Sequence, residues 1–76
     1  MSGTRESVIR MANDIARNFA SQGEEAAIAA TANHIRLFWD PRMKSQAFEL
    51  LSEPDCGFSQ LARAALRSLS DALANG

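Results

Sequence analysis

Between Ser59 and Ala74 the apolar residues recur as Leu61, Ala62, Ala65, Leu66, Leu69, Ala72 and Leu73, while Arg63, Arg67, Ser70 and Asp71 fill the gaps. Steps of three and four residues put the first set on one face of a helix turning ~100° per residue and the second set on the other. A strand, whose side chains alternate with a period of two, would scatter both sets over its two faces. The spacing therefore predicts a helix over about 59–74, with Ser59 as its N-cap. Its apolar face must be covered by other elements of similar shape.

Three upstream segments supply them. In residues 4–20, Val8, Met11, Ala12, Ile15 and Phe19 share one narrow stripe, with Arg10, Asp14, Arg17 and Asn18 opposite. Ser21-Gln22-Gly23 ends that helix, Gly23 being the residue best suited to the left-handed conformation there. Glu24 and Glu25 open the next one, 24–39, where negative charge suits the helix dipole. Asp40-Pro41 then stops one helix and starts another: the residue before proline leaves helical dihedrals, Asp caps, and proline fits the first helical position. In the third helix, 41–52, Met43, Ala47, Leu50 and Leu51 share a face while Arg42, Ser45 and Glu49 point away. Residues 53–57 read as a loop punctuated by Pro54 and Gly57. Tyr is absent and Ala, Leu, Arg and Glu are frequent, a helix-forming composition. The expected fold is all-α, one domain over residues 1–76, built as a compact bundle of three to four short helices.

The second helix is unlike the others, because its polar edge is reduced to Glu25, Ala29, Asn33, Arg36 and Asp40. Ile28, Ala32, Ile35 and Trp39 form one stripe, Ala27, Thr31 and Phe38 extend it, and Ala26, Ala30 and Leu37 continue round the far side. A helix apolar over most of its circumference is either central to a bundle or has one side against another protein. The two readings are compatible.

A partner is also what the chain's size asks for. With 76 residues, folding buries only roughly 60% of the surface of the unfolded chain, and small domains commonly rely on a disulfide, a metal or a partner. The lone Cys56 excludes an internal disulfide, and one His with one Cys fits no structural zinc pattern. A net charge of -1 offers no electrostatic basis for binding nucleic acid. No apolar run approaches the length that crosses a bilayer, so no membrane partner is expected. Residues Met1 to Glu6 lack the pattern of a secretory signal, which together with the unpaired cysteine points to the cytoplasm.

Nor is there a catalytic constellation. The four glycines are scattered, and neither HExxH nor a paired-cysteine spacing occurs. A nucleophile would have to be Cys56 or a serine with His34 as the only imidazole base, and nothing places them together. Cys56, between Asp55 and Gly57, reads as an incidental thiol. His34 reads as a histidine hydrogen-bonded across a helix contact, with a contact to a partner or its cofactor as the sharper reading. No enzyme activity, no bound metal and no bound cofactor are expected of this chain.

One stretch stands apart. From Asn33 to Met43 the chain concentrates its only Trp, its only His, two arginines and a capped corner. Trp and Arg are the residue types most enriched in binding hot spots. This makes His34, Arg36, Phe38, Trp39, Asp40, Pro41, Arg42 and Met43 the candidate partner-binding residues. A purely structural reading stands beside it: Asp40 caps the third helix, Arg36 pairs with Asp40 one turn on, and Trp39 fills the corner.

The string His34-Ile35-Arg36-Leu37-Phe38-Trp39-Asp40-Pro41-Arg42-Met43, preceded by Met11-Ala12-Asn13-Asp14-Ile15-Ala16 and Phe19, resembles the delta-subunit family of NAD-dependent formate dehydrogenase. Asp14 stands where that family more often has Gln. The resemblance covers about the first two thirds of the chain. It implies a non-catalytic accessory subunit of a cytoplasmic bacterial enzyme that oxidises formate to CO2 and passes the electrons to NAD. The implied partner is the large catalytic subunit, with a molybdenum or tungsten bis-pterin cofactor and iron–sulfur clusters; FMN and the NAD site would lie on other subunits. The implied role is support of assembly, cofactor insertion or stability. Four cysteines are needed to hold an iron–sulfur cluster and this chain has one, so its residues agree. Two alternatives are a DNA-binding helix-turn-helix protein, disfavoured by the charge, and a self-contained homo-oligomeric helical bundle or interaction module unrelated to formate oxidation.

Overall fold

The structure, a computed structural model, describes residues 3–53 and 57–75. Cys56 and its neighbour Asp55 lie outside the described residues, so the reading of that thiol is neither supported nor opposed. The described residues form helices α1 (Gly3–Phe19), α2 (Glu24–Phe38), α3 (Pro41–Leu50) and α4 (Gln60–Asn75), with a single 3-10 turn at Ala20–Gln22. No strand occurs among them. The radius of gyration, 11.4 Å, is that of a compact chain of this length, about 11 Å.

α2 lies at the centre, packed along α4 on one side and α1 on the other, while α3 folds back against α1 and α4. The shared core draws Val8, Ala12 and Ala16 from α1, Ile35 from α2, Ala47 and Leu50 from α3, and Ala62, Leu66 and Leu69 from α4. α1, α3 and α4 thus offer residues three or four apart, the spacing that keeps them on one face, and the buried residues of α2, Ala27, Thr31 and Ile35, keep the same step. Alanine makes up most of the α1 contribution, and Ala12, Ala62 and Ala65 are fully buried.

The connections follow from local chemistry. Gly23, at φ +98°, ends the 3-10 turn and serves as the N-cap of α2, its carbonyl accepting from Ala27 N–H at 2.8 Å. That backbone conformation is strained for any residue with a Cβ. Gly57 sits at φ +111° under α1, where an added Cβ would lie 3.3 Å from Ile9 Cγ2. Ser59 Oγ accepts from Ala62 N–H at 3.1 Å, the N-cap predicted for the last helix.

Some expectations need correcting. Phe38, placed by its spacing on the extended core stripe of α2, is 71% exposed at the last position of the helix, although Ala27 and Thr31 of the same stripe are fully buried. Leu73 and Met11, also assigned to core faces, are 54% and 37% exposed; Leu73 belongs to the last turn of α4, and Met11 lies at the rim of the α1 stripe. Conversely Phe58, left between loop and helix by periodicity, is buried in the core. The third helix ends at Leu50 and not Ser52, with turns through Glu53. Arg63, assigned to the solvated face of α4, turns toward α3 and donates to the carbonyls of Leu51 (3.2 Å) and Glu53 (3.3 Å). Carbonyls at a helix end lack intrahelical donors, and Arg63 supplies them.

Candidate partner-binding surface

The candidate residues cluster at the α2–α3 corner, which local interactions hold rigid. Trp39 N–H still bonds Ile35 carbonyl at 3.0 Å, but Trp39 itself is extended (φ -90°, ψ 140°), so the chain leaves α2 there. Its indole swings inward and is only 7% exposed, within the core cluster of Ile35, Leu50 and Leu66. Asp40 Oδ1 accepts from Met43 N–H at 2.8 Å and Asp40 carbonyl from Lys44 N–H at 3.1 Å, while Pro41 occupies the first turn of α3. Lys44 Nζ reaches back to the Arg36 carbonyl at 2.9 Å, satisfying an acceptor at the end of α2. Met43 is half-buried against the core.

The other candidates face outward. Arg36 is exposed and donates to Asn33 Oδ1 at 2.6 Å and not, as expected, to Asp40, whose Oδ1 caps α3. Arg42 is exposed on the first turn of α3. His34 is half-buried, and its neighbours are rings and not the hydrogen-bond partner expected from sequence: Phe38 at 4.8 Å between centroids and Phe19 of α1 at 6.4 Å, edge-on. Offset and edge-on contacts at these separations are the favourable aromatic geometries. Leu37, 57% exposed, flanks this row.

Of the eight candidates, then, the corner turns Trp39 and Met43 into the core and leaves Arg36, Phe38, Asp40, Pro41 and Arg42 at the surface with His34 beneath Phe38. Leu37 and Phe19 are additions that the candidate set missed. A helical wheel carries the signal for Leu37, which lies about 200° round from Ile35 and so cannot face the core. Phe19 could be joined to His34 only by folding α1 onto α2.

A second constellation was also missed. Asn13 clamps the segment before α4, its Nδ2 donating to Gly57 carbonyl at 3.0 Å and its Oδ1 accepting from Ser59 N–H at 2.7 Å. Beside it, an open groove of about 380 Å³ is lined by Ala16, Arg17, Ala20, Ser59 and Leu61. Its polar groups are already engaged, Asn13 in the clamp and Arg17 with Asp14 at 3.3 Å.

The corner and the Asn13 clamp both fall inside the one stretch that matches a known family: the model of the NADH-dependent formate dehydrogenase delta subunit, FdsD, matches residues 7–66. The chain belongs to that family. The match takes in α1 from its second turn, all of α2 and α3, and the first half of α4, and so reaches beyond the sequence motifs at 11–19 and 34–43. Searches of curated proteins and of solved structures return no match. For this delta-family chain, no helix among the described residues is long and apolar enough to cross a membrane. No group of three or more His, Cys, Asp or Glu side chains among them could hold a metal ion.

Proposed function

We propose that the chain is a non-catalytic accessory subunit of a molybdenum- or tungsten-containing formate dehydrogenase in the bacterial cytoplasm. In this reading it binds the large catalytic subunit and supports its assembly, cofactor insertion or stability. The bis-pterin metal, iron–sulfur, FMN and NAD sites lie on the partner subunits. The observation that carries the reading is the exposed corner of Leu37 and Phe38 within the family-matched span. A chain of this size gains most from covering such apolar surface with another protein. The single cysteine of the sequence cannot hold an iron–sulfur cluster.

The test is an expression set of the formate dehydrogenase subunits with and without this chain. Molybdenum content and formate-dependent NAD reduction are measured per large subunit. The chain is expected to co-purify with the large subunit, and its omission to lower metal occupancy, activity or the melting temperature of the complex. No co-purification together with unchanged metal content and activity would overturn the proposal. A stable, monodisperse homo-oligomer in place of the complex would favour the self-contained bundle.

A further inference from the structure

We draw no further inference here: the strongest candidate, the exposed apolar patch of Leu37 and Phe38 at the end of α2, belongs to the surface already described, and nothing in the structure shows what covers it.

Discussion

Phe38 and Trp39 are consecutive aromatic residues, yet truncating them should have opposite consequences. Trp39 is 7% exposed, so Trp39→Ala should cost the isolated chain about 3–5 kcal/mol. A domain of this length has a total stability of roughly 4–11 kcal/mol. At about 4–8 °C per kcal/mol for a domain of this size, the loss corresponds to a fall in melting temperature of roughly 12 °C or more, and Trp39→Phe should fall in between. Phe38 is 71% exposed. Of an aromatic side chain's 150–250 Å², it therefore buries only roughly 50–70 Å², a loss of about 1–2 kcal/mol at 25 cal/mol per Å². Alanine's better helix propensity returns ~0.5 kcal/mol of that. In a complex the order reverses, because Phe38 has roughly 110–180 Å² left to bury, an upper estimate of about 3–4 kcal/mol. Thermal melts of the isolated chain followed by circular dichroism, paired with titration against the large subunit, read both quantities. Equal loss of melting temperature in Phe38→Ala and Trp39→Ala would refute the assignment of one ring to the surface and the other to the core.

Three further outcomes follow from single interactions. Asp40→Ala removes the acceptor of Met43 N–H and should lower stability by about 0.5–2 kcal/mol in denaturant titrations; no change would mean that the corner does not depend on its cap. Asn13→Ala breaks both contacts to Gly57 and Ser59. It should cost roughly 1–3 kcal/mol, and amide exchange at Ser59 should accelerate more than at Leu66; uniform acceleration would argue against a local clamp. Thr31 Oγ1 is buried without a hydrogen-bond partner, so Thr31→Val should raise stability by about 1–2 kcal/mol. A lower melting temperature would show that the hydroxyl is bonded after all, as it would be to the carbonyl four residues back.

The helices were legible in sequence because their causes are local. The three-and-four spacing of Leu61, Ala62, Ala65, Leu66 and Leu69 permits only a helix; Gly23, Asp40-Pro41 and Ser59 mark their ends by conformational preference and capping, which act within a few residues. The family resemblance was likewise carried by contiguous residues, and the match over 7–66 shows it. Tertiary structure decided what depends on residues distant in sequence. Spacing placed Phe38 and Trp39 on the core side of α2, and only the folded chain, with its extended backbone at Trp39, separates them into anchor and exposed ring. The three-ring row needs α1 packed on α2, the Asn13 clamp joins positions 44 and 46 residues apart, and Arg63 finds the end of α3 only once α3 has folded back. Helical period reports which side of a helix is apolar; how far along that side the covering extends depends on where the neighbouring helices stop, and this is a property of the packed bundle.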